Sequence, residues 1–292
     1  MSADDLDRTG ARYLDQLTGA DLRTLVRADD VPEPEVEARI AALRREPALV
    51  LDVLDRPATS AAVLNLVADR GRGGLSFVSP FLVFAAAVHR TAADLTGASY
   101  APERTAPRLR VPVFDGPQLT AYLADAWHRL FLVELLASFA RTSSGVVVTR
   151  TPHGTRRRRW NDLDLVRLAA LLEAVPEAQR PGVWRRLGDL ALFLAGVFPD
   201  ALERNVPGPA EAVRLARRTG LSVEPDPDQA TGAELLEWFS AMWYRLAADN
   251  AVVTAVASVL RDTAEHIHTA RRVLNAVTDR YLFPITTDWF AA

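Results

Sequence analysis

Apolar residues recur along most of this chain at the 3.6-residue spacing of a helix, and prolines cut that pattern repeatedly. No other feature restricts the fold as much. It predicts a mainly α protein, a multi-helix bundle of about ten helices. In the first hundred residues the pattern places short helices near Ala11–Arg27, Glu33–Arg45, Ala48–Asp55 and Ser60–Arg70. Pro32, Pro34, Pro47 and Pro57 fall in the linkers or first turns, where a missing N–H costs nothing. Arg70-Gly71-Arg72-Gly73-Gly74 closes that set, and a strongly apolar helix follows from Ser79 to Thr96, stopping at Gly97.

Ser99 to Gly116 carries Pro102, Pro107 and Pro112 and reads as an extended connection. Asp115 then caps a helix over Gln118–Arg141 with Pro117 in its first turn. Asn161 or Asp162 caps the next helix, Leu163–Ala174, and Pro199 ends another over Arg180–Phe198. Ala210–Thr219 is a shorter helix with Gly220 as its C-terminal cap, and Leu221–Gly232 reads as a surface loop. Two long helices follow, near Ala233–Ala248 and Asn250–Tyr281. The last has Val252, Val256, Val259, Thr263, Ile267, Ala270, Leu274, Val277 and Tyr281 on one stripe, suited to a bundle partner or to a second copy. This organisation suggests an N-terminal helical part, 1–98, and a helical core, 117–292, joined by the extended segment 99–116; one continuous domain is the alternative.

The clear β signal lies between the helices. Val146-Val147-Val148-Thr149-Arg150 and Thr155 to Trp160 flank Pro152-His153-Gly154, a turn-forming cluster, so one projecting β-hairpin is expected near residues 145–160. From Arg141 to Trp160 there are six arginines and no acid. Alternation along a strand would send Arg156 and Arg158 to one face and Arg157 and Arg159 to the other. With Arg150 and Trp160 these form a candidate binding surface, able to grip carboxylates or phosphates with forked guanidinium groups, with Trp160 available for stacking. Arg104, Arg108 and Arg110 would extend the patch if they folded nearby. The plainer alternative is a solvated ribbon whose arginines pair with acids of adjoining helices.

Composition removes several chemistries. With no cysteine there are no disulfides, thiolate metal sites, iron–sulfur clusters or cysteine nucleophiles. All 34 basic residues are arginine, so a P-loop lysine and a Schiff-base lysine are also absent. A net charge of −3 gives no global attraction to nucleic acid or to an acidic membrane. The longest apolar run, Leu75 to Val88, is interrupted by Ser79-Pro80 and falls short of the roughly 20 residues of a membrane span. The acidic start, Met1-Ser2-Ala3-Asp4-Asp5, is unlike a secretory signal, and a cytoplasmic location is expected.

Metal-ligand spacing occurs twice. Glu265 and His268 stand three apart, the Glu-x-x-His spacing of helical di-iron proteins, and Asp125 and His128 repeat it. Arg261 and Arg272 on the same face as the first pair argue for a solvated helix surface instead. Two acids stand in apolar runs: Glu134 in Leu130–Leu136 and Asp189 in Leu187–Leu194. A buried carboxylate needs a partner, so each either meets an arginine such as Arg90, Arg141 or Arg186, or lines a polar pocket that His89 could join. The aromatic cluster Trp238, Phe239, Trp243 and Tyr244 has helical spacing and reads as core.

The functional expectation is a non-enzymatic helical interaction or regulatory protein. It would self-associate through its last helix and contact a protein partner through the arginine hairpin, with no cofactor and no membrane. Nucleic-acid binding by the same arginines is the second reading. An enzyme or small-molecule binder using a pocket around Glu134 and Asp189 is the third.

Overall fold

The computed structural model of the protein describes residues 2–70, 78–106, 109–141, 143–151, 154–199, 207–221, 231–251 and 253–290, without the side chains of residues 70, 149–151, 154–156, 158, 254 and 255. The protein is mainly α, a multi-helix bundle carrying an antiparallel hairpin. Among the described residues no helix is long and apolar enough to cross a membrane. The chain forms two units. The first comprises Met1–Glu103, Arg110–Arg141 and Ala276–Ala292, and the second Arg104–Leu109 with Thr142–Asn275.

The first unit opens with α1 (Ala3–Gln16) and α2 (Gly19–Ala28), where one helix over Ala11–Arg27 is expected from periodicity. The break is built by Thr18. Its hydroxyl accepts from the Asp21 amide while the Asp21 carboxylate accepts from the Thr18 amide, a reciprocal cap. Asp21 is buried, and its other oxygen accepts from the Ser79 amide at 2.7 Å, tying α2 to the start of a later helix. After α3 (Val36–Arg45), α4 (Leu49–Leu54) and α5 (Pro57–Arg70) comes that helix, α6 (Pro80–Leu95), buried continuously from Phe81 to His89. A ribbon of β1 (Ala101–Ala106) and β2 (Leu109–Val113) occupies the segment read as an extended connection. The expected single helix 118–141 is two, α7 (Gly116–Ala124) and α8 (Ala126–Phe139), because Asp125 leaves helical geometry and its carboxylate accepts from the Trp127 amide at 2.7 Å. Helices α5 and α8 pack on α6, and the Phe84 ring lies 5.5 Å from that of Trp289 and 5.6 Å from that of Phe290.

The second unit begins with the hairpin, β3 (Ser144–Thr151) and β4 (Gly154–Asn161), in the expected place. The next helix starts later than predicted and is shorter. Asp164, not Asn161 or Asp162, caps α9 (Leu165–Ala169), which tightens into a 3₁₀ turn over Ala170–Glu173. Then come α10 (Arg180–Val197), α11 (Pro209–Arg218) and α12 (Gly232–Asp249). Gly220 closes α11 at φ 82°, as its position predicts, and the Leu221 amide reaches back to the Ala216 carbonyl at 3.0 Å. Most of the loop expected over Leu221–Gly232 lies outside the described residues, as do Gly71–Gly74, Pro152 and His153. The expected last helix, Asn250–Tyr281, is α13 (Thr254–Glu265), α14 (Ile267–Val277) and a π-helical turn over Thr278–Leu282. Its stripe is partly spent inside the chain: Thr263, Ala270, Leu274 and Val277 are buried, Val259, Ile267 and Tyr281 are half-buried and Val256 stays exposed, while Val252 lies outside the described residues.

The principal packing of the second unit is α10 against α12. Phe239, Trp243 and Tyr244 are fully buried, with Phe239 and Trp243 stacked at 4.7 Å, so the aromatic cluster is core as expected; Trp238 is half-buried. Gly188 permits the close approach, since a Cβ there would fall 2.7 Å from two carbons of the Tyr244 ring. Gly188→Val should therefore force α10 and α12 apart and cost about 1–3 kcal/mol, read as a lower denaturation midpoint. An unchanged midpoint would contradict this packing.

Candidate functional site

The hairpin register pairs Gly145 with Trp160, Val146 with Arg159, Val147 with Arg158 and Val148 with Arg157. Residues directly opposite in an antiparallel pair share a face. Val146, Val148, Arg157 and Arg159 therefore stand on one side of the ribbon, and all four are exposed. Among the described residues the side chain of neither Arg157 nor Arg159 has an ion-pair or hydrogen-bond partner. On the other face Trp160 is half-buried, its indole against Gly145, where a Cβ would lie 2.9 Å from Nε1. The side chains of Arg150, Arg156 and Arg158 lie outside the described residues.

The base of the ribbon is clamped. The Asp162 amide donates to the Ser143 carbonyl at 3.0 Å, and its carboxylate accepts from the Ser143 amide at 3.2 Å. Arg186 on α10 donates to the same carboxylate at 3.2 Å, and β4 rests on α9. Sequence reasoning offered Arg186 to Asp189 or Glu134; the structure gives it to Asp162.

The two acids in apolar runs have other partners. Glu134, in the first unit, accepts from Arg12 at 2.9 Å and is one-fifth exposed. Asp189, in the second, is buried and accepts from the Tyr244 hydroxyl at 2.9 Å, with Arg185 one helical turn away at 4.0 Å. Burial, then the Asp189 charge, push the Tyr244 phenol well above its ordinary pKa. Neither Arg90 nor Arg141 serves either acid: Arg90 pairs with Asp94 at 3.0 Å, and Arg141 is exposed. Another acid in an apolar run, the buried Glu237, was missed. It is held by Arg271 and by His268 Nδ1 at 3.2 Å. It stands in Leu235-Leu236-Glu237-Trp238-Phe239, the same acid-in-apolar-run signal that marks Glu134.

The metal candidates dissolve into local structure. The chain leaves the helix at His266, so Glu265 ends α13 while His268 belongs to α14, and the three-residue spacing no longer defines one face. His268 turns to Glu237 instead. Asp125 is consumed as the cap of α8, and His128 stacks on Tyr122 at 4.0 Å, its Nδ1 donating to the Tyr122 carbonyl. Among the described residues no group of three or more acids and histidines could hold a metal ion.

Buried His89 is the centre of a polar chain that runs from the enclosed Tyr13 to the exposed Asp55. Its Nδ1 lies 2.6 Å from Asp55 Oδ1 and its Nε2 3.0 Å from the Tyr13 hydroxyl. An ionised carboxylate only accepts, which assigns the proton to Nδ1 and makes Tyr13 donate to Nε2. Arg129, itself buried, donates to the second Asp55 oxygen at 3.3 Å and to the Leu123 carbonyl. Burial depresses the His89 pKa below 6.5, although Asp55 pulls it upward, and burial raises that of Tyr13. At Asp55 burial also pushes upward, but the His89 hydrogen bond and the Arg129 charge outweigh it and lower the carboxyl pKa. The order hydroxyl–imidazole–carboxylate resembles a nucleophile relay, yet Tyr13 is fully enclosed, so its oxygen meets no substrate. A cleft of about 460 Å³ lies elsewhere, lined by Ala20, Arg23, Thr24 and Arg27 of α2 and by Ala62, Val63 and Leu66 of α5.

No family model matches the chain, and no curated protein or solved structure shows significant similarity to it. Fold and site together therefore define it by class alone, as a mainly α helical-bundle protein with an arginine-bearing hairpin.

The buried histidine has a measurable consequence. Below pH 6.5 the unfolded chain takes up a proton at this position that the native state refuses, so stability falls as pH drops toward the lowered native value. Thermal midpoints should decline between about pH 7 and 5, and the His89 ring should titrate below 6.5 by NMR. Titration at or above 6.5 with flat midpoints would contradict the assignment.

Proposed function

We propose that the protein is a non-enzymatic interaction or regulatory protein whose arginine-bearing hairpin contacts a protein partner. The observation that carries this reading is the exposed face on which Arg157 and Arg159 stand beside Val146 and Val148. Interior polar groups are characteristically spent on their neighbours: Glu134 on Arg12, Asp189 on Tyr244, Glu237 on Arg271 and His268, His89 on Asp55 and Tyr13. The two arginines of the ribbon differ from these in facing water without an acceptor among the described residues. Self-association belongs to the same proposal. Half of the described C-terminal stripe is buried in its own chain, and the exposed apolar part of it offered to a second copy is the start of α13, where Val253 and Val256 are exposed. A cytoplasmic setting fits this role.

Native mass spectrometry of the protein purified from its own host tests both parts. The expected result is a homo-oligomer carrying a protein partner. Arg157→Ser with Arg159→Ser should release the partner while leaving the thermal midpoint unchanged, since exposed substitutions of this kind usually stay within about 0.5 kcal/mol. Val256→Asp should yield the monomer. A partner retained by the arginine variant, or a monomeric protein loaded with a small molecule, would overturn the reading.

A further inference from the structure

Resting on the proposed role of the hairpin, we infer that its exposed face recognises an acidic protein segment that also carries aliphatic side chains, rather than a polyanion in general. Two features of the face act together. Arg157 and Arg159 are two residues apart on β4, which puts their Cα atoms roughly 7 Å apart on one side of the strand. Carboxylates on alternate residues of an extended segment repeat at the same interval, and each can accept two parallel hydrogen bonds from a guanidinium. Phosphates along a nucleic-acid strand would satisfy the arginines too. The valines separate the two ligands.

Val146 and Val148 lie directly across from Arg159 and Arg157, and they are 45% and 55% exposed. Their Cβ atoms fall about 5 Å from those of the paired arginines. A ligand bound by the guanidinium groups must therefore lie over the valines as well. An aliphatic side chain covering them removes apolar surface from water, whereas a charged phosphodiester backbone gains nothing there. The occupant that uses the whole face is an extended polypeptide lying edge-on between the two rows, its alternate side chains turned to opposite sides, carboxylates to the arginines and aliphatic groups to the valines.

Charge also points to an acidic occupant. The sequence from Arg141 to Trp160 contains no acid, so the hairpin supplies no counter-ion of its own within a chain of net charge −3. The face is held ready by the Asp162 clamp and by Trp160 over Gly145, which limits the ordering entropy lost on binding. Another exposed apolar surface, around Tyr100, Val111 and Phe114, lacks this combination. Its neighbouring cation, Arg110, is already held by both oxygens of Asp279 at 2.6 and 2.7 Å.

Fluorescence anisotropy on the full-length chain tests the inference with three probes: a peptide alternating glutamate and valine, an all-glutamate peptide of the same length, and a single-stranded oligothymidylate. The alternating peptide should bind about tenfold more tightly than either of the others, the gain from covering two half-exposed valines. Val146→Thr with Val148→Thr keeps the β-branched shape and the strand; it should erase that advantage while leaving the all-glutamate affinity unchanged. Circular dichroism confirms that the variant is folded. Equal affinities for the three probes, an alternating peptide that does not bind, or a threonine variant that binds like the parent would each overturn the inference. If Arg157→Gln with Arg159→Gln lowers all affinities while the threonine variant changes none, the hairpin is a contact surface that reads charge alone, and only the inference fails. If the glutamine variant also changes nothing, the proposed contact surface fails with it.

Discussion

Each unit of this protein is organised by a helix with almost no solvent face. In the first, α6 is buried without interruption from Phe81 to His89; in the second, α10 is buried from Leu187 to Val197. A helix enclosed on every side must be surrounded by others, which produces a bundle, and it must satisfy any polar side chain it carries. Both carry one. His89 stands at the end of the buried run of α6, and Asp189 stands inside that of α10. The first is met by Tyr13 and Asp55, the second by Tyr244 and Arg185. These pairings weld helices together and leave the interior acids and imidazole chemically committed. The same constraint leaves the uncommitted polar side chains on the outside, where the fold does not use them.

Much of the architecture could be read from periodicity and turn chemistry, because burial imposes the 3.6-residue pattern and glycine or proline marks its ends. The hairpin was legible for a different reason: three valines, a Pro-His-Gly turn and a basic return strand have no helical reading. Helix interruptions were not legible from periodicity. The apolar pattern runs through Asp125 and His266 with nothing to show that the backbone leaves the helix there. At Thr18 a local sign did exist, since Thr18-x-x-Asp21 is a capping box, as are Ser2-x-x-Asp5 and Thr231-x-x-Glu234. The break at His266 also separates Glu265 from His268, because a spacing of three means one helix face only while the helix continues.

The partners of the buried acids were out of reach for a related reason. Arg12 is 122 residues from Glu134, and Tyr244 is 55 from Asp189. Which cation or hydroxyl meets a buried carboxylate depends on which helices touch, and sequence periodicity gives a helix a buried face without naming its neighbour. The need for a partner could be deduced; its identity required the fold. Glu237 shows that the rule was sound and incompletely applied.

Arginine is the only strong cation available to this chain, and it serves two purposes that lysine would serve less well. Inside, its several donors let one side chain bridge unlike acceptors. Buried Arg129 reaches both Asp55 and the Leu123 carbonyl, and buried Arg104 reaches the Val197 carbonyl at 2.8 Å. Guanidinium is weakly hydrated for a cation, so such burial costs less than it would for an ammonium group. Outside, the same weak hydration and planar fork would suit the contact proposed for Arg157 and Arg159, in which the face sheds water. At Arg157 and Arg159 the fork is present, the desolvation cost is low, and the aliphatic neighbours are already paying the penalty of exposure. In the proposed contact, covering cation and valine together would relieve both, and the apolar half of this face would then matter as much as its charge.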